Sequence, residues 1–228
     1  MKNIGKILKS PALALGLTPL IFTLSQIIVL SYYWLNKGYA GDFSLTVSRY
    51  VGLELWTSIL FAVFNLAIIV IMFRYYLSLR KSRSLLWFIF GCVQVAGFLL
   101  LSIFPHNAFI EDPTAREIVS TIHEYSARAM FIAMFGMTLE TLRLSYPSHL
   151  KFLRNLPLLR APKNLSFPKI TAPVCYLFLL YGIVYGISYT TRWRPIWDYV
   201  YILETGYIYA FIVFLLLTRR ITKTQITS

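Results

Sequence analysis

The fold of this chain is decided by residues 118–143, which read IVSTIHEYSARAMFIAMFGMTLETLR. The segment exceeds the roughly 20 residues that a helix needs to cross a bilayer. It carries His123, Glu124 and Arg128 within or beside its apolar length, and Glu140 near its end. Ionisable groups are costly inside a membrane, so they usually face the interior of a helix bundle and mark a functional site. We therefore interpret this segment as a membrane helix that carries a candidate site.

The composition of the whole chain is also that of a membrane protein. Of its 228 residues, 57% are hydrophobic and 14% are charged, whereas about 25% of residues are charged in soluble domains. The sequence predicts an all-α polytopic membrane protein, with six transmembrane helices forming one bundle in a single domain over 1–228. The predicted spans are 12–34, 53–77, 85–104, 118–140, 170–189 and 197–217.

Lysine and arginine are distributed unequally between the two ends of the predicted bundle. The N-terminus, residues 74–83, residues 143–169 and the C-terminal tail together hold sixteen of these cations, and the one acid on this side is Glu140. The opposite end holds six cations, counting Arg128, and eight acids. Cytoplasmic loops carry the excess of lysine and arginine, so both termini are predicted to be cytoplasmic. The same asymmetry explains the net charge of +13 without a nucleic-acid partner.

The first span follows a basic N-terminus, as a signal peptide would. Its apolar run is longer than a signal peptide needs, and we expect a retained first span with a bend at Pro19. In the longest connection, 149–156 alternates apolar residues with cations. This segment is either a short interfacial helix or a solvated basic loop.

Few residues could hold a metal ion or a cofactor. Cys92 and Cys175 both fall in apolar spans, where small buried hydrophobic residues are the simpler interpretation. His106 and His123 could form a zinc site with a nearby acid, but a flexible loop separates the two histidines. We therefore expect neither a metal ion nor a cofactor.

The charged residues of spans two, four and six are predicted to lie at similar depths, because these spans run in the same direction. Glu54, His123, Glu124, Arg128 and Glu204 would then surround a binding pocket in the outer leaflet. Arg128 stays charged at all ordinary pH values and needs a carboxylate. Glu204 is the first expected partner from another helix and Glu54 is the second. A buried ion network that only fixes helix register is the alternative.

Three residues are candidates for catalysis. His123 and Glu124 could activate water or the Ser126 hydroxyl in an intramembrane lipid hydrolase. No nucleophile elbow, phosphate-binding loop or dinucleotide fingerprint occurs in the chain. The sequence therefore favours a protein that is not an enzyme.

Two short segments resemble the Frag/DRAM/Sfk group of six-helix membrane proteins and related prokaryotic families of unknown function. They are SLTVS at 44–48 and SIFPHN at 102–107. In that group, a Phe-Pro pair closes the third span and a histidine opens the fourth. Phe104, Pro105 and His123 match this pattern.

The resemblance implies a role connected with lipids, because members of that group are tied to lipid handling, lysosomal membranes and lipid-anchor remodelling. Arg128 with Glu124 departs from the group pattern. We expect a lipid-associated or accessory protein of a prokaryotic plasma membrane. Its expected partners are membrane lipids, with a possible homo-oligomer or membrane-protein partner. A small-molecule transporter or channel subunit is the alternative function, and an intramembrane hydrolase is the third.

Overall fold

A computed structural model describes residues 10–38, 46–80, 83–104, 110–145, 167–191 and 199–218. Within these ranges every element is a helix, as the sequence predicts. The helices are α1 (Pro11–Leu15), α2 (Thr18–Asn36), α3 (Val47–Val51), α4 (Leu55–Leu79), α5 (Leu85–Ile103), α6 (Pro113–Ser145), α7 (Thr171–Thr191) and α8 (Val200–Leu217). His106 and the predicted interfacial segment 149–156 lie outside the described residues.

Five helical segments of the described chain are long and apolar enough to cross a membrane. They are Pro11–Asn36, Leu55–Leu79, Leu85–Ile103, Thr171–Thr191 and Val200–Leu217. Each coincides with a predicted span to within three residues at either end. Large apolar side chains such as Leu20, Ile132 and Leu177 are exposed on the outer surface of the bundle. In water such a surface would be unfavourable, whereas in a bilayer it contacts lipid tails.

The remaining long helix, α6, is the segment that carries most of the predicted site. It has 33 residues and extends beyond the predicted span at both ends. The helix begins at Pro113 and not at residue 118, where the predicted span starts, because Pro113 occupies the first helical turn and Asp112 caps it. The Asp112 carboxylate accepts a hydrogen bond from the backbone N–H of Thr114 over 2.9 Å. The ionisable residues of α6 distinguish it from the five apolar segments.

The first span is interrupted before its proline. Helix α1 ends at Leu15, and α2 begins at Thr18 after a two-residue turn. The Thr18 hydroxyl donates to the Leu15 carbonyl over 2.7 Å. Pro19 therefore lies in the first turn of a new helix. Backbone N–H groups in the first turn make no hydrogen bond within the helix, so proline, which lacks this group, is tolerated there. The predicted bend at Pro19 is thus corrected to a break at residues 16–17.

The long helices form a ring in which each one packs beside the next in the sequence. Helices α1 and α2 pack on α4, followed by α5, α6, α7 and α8, and α8 returns to contact α1 and α2. The pairing of α5 with α6 is the most extensive. One end of the ring holds Arg83 and the start of α5, and we call it the Arg83 end. The opposite end, where α6 passes His123, is the His123 end.

The centre of the ring is filled with side chains. A cavity of only about 10 Å³ remains there, which is space for at most one water molecule. Among its lining residues Gln94 alone carries a polar side chain, and the Gln94 carbonyl accepts a hydrogen bond from the Tyr76 hydroxyl over 3.0 Å. The other lining residues are Phe22, Ile68, Met72, Phe98, Met130, Met134, Ile208, Phe211 and Ile212.

Candidate functional site

Two contacts align α6 with the full length of α5 and so set the depth of its charged residues. At the His123 end, His123 Nδ1 lies 2.8 Å from the carbonyl oxygen of Phe104, the residue that follows α5. At the Arg83 end, the hydroxyl of Ser84, the residue before α5, donates to the Glu140 carboxylate. Helix α5 has 19 residues and is therefore about 28 Å long, close to the thickness of the hydrocarbon core.

Arg128 consequently lies below the level at which α5 ends. It follows His123 by five residues, which places its Cα about 7.5 Å further along the helix axis. Its guanidinium bonds Glu124 on the same helix over 3.2 Å, and it lies 5.6 Å from the centre of the Tyr125 ring. The Arg128 and Glu124 side chains are 58% and 46% exposed. The charge thus lies on the outside of the bundle, past the level at which α5 ends.

Glu204, the first expected partner of Arg128, is engaged elsewhere. Its carboxylate accepts a hydrogen bond from the backbone N–H of Val47 over 2.8 Å, and Val47 is the first residue of α3. Glu204 therefore holds the short helix α3 against α8. The predicted ion pair between Arg128 and Glu204 is wrong.

Glu54, the second expected partner, also lies in a different cluster. Its carboxylate pairs with the Lys37 ammonium over 2.9 Å and accepts hydrogen bonds from the Tyr32 hydroxyl over 3.0 Å and the Trp56 indole over 2.7 Å. The Lys37 ammonium, hydrogen-bonded to this carboxylate, is the main cause that lowers the pKa of Glu54 below its usual range. This cluster ties the end of α2 to the start of α4.

Among the described residues, the charged groups of the predicted outer-leaflet pocket make separate contacts. Glu54 precedes α4, Arg128 is on α6 and Glu204 is on α8, and these helices are alternate members of the ring. Helix α5 lies between α4 and α6, and α7 lies between α6 and α8. Side chains of alternate helices do meet elsewhere, since the rings of Phe131 on α6 and Tyr207 on α8 have centres 5.3 Å apart. Arg128 and Glu204 instead bond Glu124 and the Val47 backbone. The correct part of the prediction is that all of these residues lie at the His123 end.

The three candidate catalytic residues point to two different sides of α6. His123 and Ser126 are each only 5% exposed, on the side of α6 that packs into the bundle. Glu124 is on the outer side, where it is paired with Arg128. A hydrolase needs its base and nucleophile within hydrogen-bonding distance of each other and of a substrate. In the described residues, His123 instead joins α6 to the end of α5.

The outer half of α6 presents a continuous polar surface, which we call the α6 polar face. It borders a broad, open hollow, and all of the described residues that line this hollow belong to α6. Because its members are spaced three or four residues apart, they lie on one side of the helix. They are Pro113, Arg116, Glu117, Ser120, Thr121, Glu124, Tyr125 and Arg128. Further along the same helix, the exposed residues Ile132 and Leu139 are apolar.

A second charged cluster, at the Arg83 end, was missed by sequence reasoning. Glu140 bonds Arg143 through two nitrogens, one of them over 2.6 Å, and accepts the Ser84 hydrogen bond. The Glu140 and Arg143 side chains are 3% and 10% exposed, so this ion pair is buried. The available signal was that Glu140 is the single acid among sixteen cations at this end.

Arg83 belongs to the same end of the bundle. Its Nη2 donates to the Thr218 carbonyl over 2.8 Å, which caps the end of α8. The guanidinium also lies 4.6 Å from the centre of the Phe167 ring and 5.3 Å from that of Trp87. Among the described residues, its Nε and Nη1 have no hydrogen-bond partner. Burial lowers the pKa of Arg83 to about 10, so the guanidinium remains charged at neutral pH.

Comparison with known proteins does not identify the chain. No family model matches it, and no curated protein or solved structure matches it either. Within the described ranges, no three His, Cys, Asp or Glu side chains are placed to hold a metal ion. The resemblance to the Frag/DRAM/Sfk group stays a prediction. Two of the residues that carry it, Phe104 and His123, are in direct contact.

Proposed function

We propose that this chain is an accessory protein of the plasma membrane that crosses the bilayer six times and associates laterally with membrane protein through the α6 polar face. The five apolar helical segments and the apolar outer surface support its placement in a membrane, with lipids as its surroundings. The sixth crossing is α6 itself, which packs between α5 and α7 in the ring. With an even number of crossings, both termini are on one side.

The orientation follows from the basic residues. In the sequence, most of the lysine and arginine of the chain fall in segments that adjoin the helix ends near Arg83, so the Arg83 end is the cytoplasmic end in this proposal. The His123 end, with the α6 polar face, then lies in the outer leaflet. Cations at the cytoplasmic surface are attracted to anionic lipids by about 1 kcal/mol each.

One observation carries the proposed function: the Glu124–Arg128 pair of the α6 polar face lies past the level at which α5 ends, yet it points away from its own bundle. A charged side chain facing lipid tails costs at least about 2.5 kcal/mol at the centre of a bilayer and less towards its surface. Arg128 with Glu124 therefore favours coverage by another polar protein surface. In the accessory role, the chain binds another membrane protein that covers Arg128 and Glu124. This role requires no catalytic group.

The alternative functions have less support from the geometry. A transporter needs a polar path through the membrane, whereas the described cavity at the centre of this ring measures about 10 Å³ and is lined by apolar side chains apart from Gln94. A hydrolase needs His123, Glu124 and Ser126 to act together, but they lie on two sides of α6. The proposed function therefore places the interaction on the outside of the bundle.

The proposal is tested by photo-crosslinking in intact membranes. A photoreactive residue replaces Tyr125, which is 65% exposed on the α6 polar face. We expect a discrete protein adduct. The matched position is Ser31, which is also exposed and lies five residues before the end of α2, on the opposite side of the ring. From Ser31 we expect lipid adducts.

A second variant checks that the charged pair is required. Combining the Tyr125 probe with Glu124→Gln and Arg128→Gln should reduce the protein adduct about tenfold, since polar contacts between membrane helices contribute about 1–2 kcal/mol each. Unchanged thermal unfolding in detergent would show that these variants fold. Lipid adducts alone from both Tyr125 and Ser31 would refute the proposed function.

A further inference from the structure

The α6 polar face carries equal numbers of acidic and basic side chains, so two copies of this face can match each other in charge. Arg116 and Arg128 contribute two positive charges, and Glu117 and Glu124 contribute two negative charges. The face is therefore neutral as a whole but divided into pairs of opposite sign. A partner surface for it needs equal numbers of acids and bases at matching depths.

The Glu124–Arg128 pair is the deepest part of this pattern. The contacting oxygen and nitrogen are 3.2 Å apart, so these two atoms differ in depth by at most that distance. Both side chains retain about half of their surface exposed, and a guanidinium has five N–H donors. Each member of the pair can therefore bond a second group of opposite charge from outside.

A second copy of the chain offers such groups at the required depth. Copies in one membrane share the same orientation, so residues of equal number lie at equal depth. A two-fold axis along the membrane normal then places Glu124 of one copy beside Arg128 of the other, and the exchange occurs twice because the interface is symmetric. The four groups alternate in sign around a ring.

We propose that the α6 polar face forms a two-fold homodimer in the membrane, in which Arg128 of each copy bonds Glu124 of the other. This inference rests on the proposed function, since it names the partner of the same surface. Tyr125 lies next to the pair, and its ring contacts Arg128 at 5.6 Å. In the dimer, the Tyr125 rings separate the four charged groups from lipid.

The dimer is tested by co-purification of copies that carry two different tags. The first variant, Glu124→Arg, has two bases at the paired positions, and the second, Arg128→Glu, has two acids. Like charges repel within either homodimer, so self-association of each variant should fall about tenfold relative to the unaltered chain. Mixing the two variants restores opposite charges, and their co-purification should return to within about twofold of the unaltered level.

The mixed sample also controls for folding, because two misfolded variants would not bind each other selectively. The inference is overturned if each variant still binds itself as strongly as the unaltered chain does, or if the mixture recovers no binding. Suppose that the Tyr125 probe gives a protein adduct but the mixture of Glu124→Arg and Arg128→Glu recovers no co-purification. The homodimer is then overturned, whereas lateral association with another membrane protein stands. If the Tyr125 probe gives no protein adduct in the otherwise unaltered chain, the proposed function itself is refuted.

Discussion

At the scale of single residues, the strongest charge interaction of the described chain is the buried pair of Glu140 and Arg143. Removing one member of a buried ion pair leaves the other charge without compensation, which costs about 3–5 kcal/mol. Glu140→Ala also removes the acceptor of the Ser84 hydrogen bond. We expect this substitution to lower the free energy of unfolding by about 3 kcal/mol or more, measured by chemical unfolding in detergent micelles.

The matched control for this prediction is the double variant Glu140→Ala/Arg143→Ala. Without the buried guanidinium, no uncompensated charge remains, so the double variant should be less destabilised than Glu140→Ala alone. Equal losses in the two variants would show that the pair contributes little beyond packing.

Single residues also show which side-chain contacts the sequence predicts and which it does not. The pairing of Glu124 with Arg128 follows from their spacing, since residues four apart on a helix are neighbours. The partners of Glu204 and Glu54 depend on which helices are adjacent and on the positions of Val47 and Lys37 in the loops. Spacing along the chain holds no information on those contacts.

At the scale of helices, the close contact between α5 and α6 depends on Gly97. A methyl group at this position would lie 2.9 Å from the Ser126 carbonyl oxygen and 3.0 Å from the Met130 Cβ. Both atoms belong to or adjoin the α6 backbone, so the helices would have to separate. We expect Gly97→Ala to destabilise the protein by about 1–3 kcal/mol in the same unfolding measurement.

Gly186 on α7 provides the control for Gly97. No atom of the described residues lies within 4 Å of the position that its Cβ would occupy, so Gly186→Ala should not destabilise the protein and should stabilise it by up to about 1 kcal/mol through helix propensity. A comparable loss in both variants would indicate that helix flexibility, and not the contact between α5 and α6, explains the effect.

Helix positions were predicted more accurately than helix ends and contacts. The windows of α4, α5, α7 and α8 could be read from hydropathy, because lipid requires long uninterrupted apolar segments. The ends of α6 could not, because their charged residues resemble a loop. Helix adjacency is set by packing of whole helices, and local sequence does not specify it.

At the scale of the whole molecule, the ring arrangement places function on the perimeter. Each helix packs beside its neighbours in the sequence, and the interior is a closed apolar core. Ionisable groups of α6 are covered from within the chain, as Glu140 is, or remain on the outer surface, as Arg128 does. The outer surface is where a partner reaches them.

This arrangement depends on α6 crossing the membrane, which cysteine labelling tests directly. Glu111 is exposed just before α6, and Lys169 is exposed just before α7. With Cys92 and Cys175 replaced by alanine, Glu111→Cys should react with an impermeant maleimide in intact cells. Lys169→Cys should react only after the membrane is permeabilised, because α6 is the one long helix between the two positions among the described residues.

The same pair of variants also distinguishes a five-span chain. If α6 lay along the membrane surface, Glu111→Cys and Lys169→Cys would be labelled from the same side. Arg128 would then be in the interfacial region, where water and lipid headgroups satisfy its charge, and the α6 polar face would need no partner. Labelling from opposite sides places Arg128 inside the bilayer, and coverage of its charge then requires another protein surface.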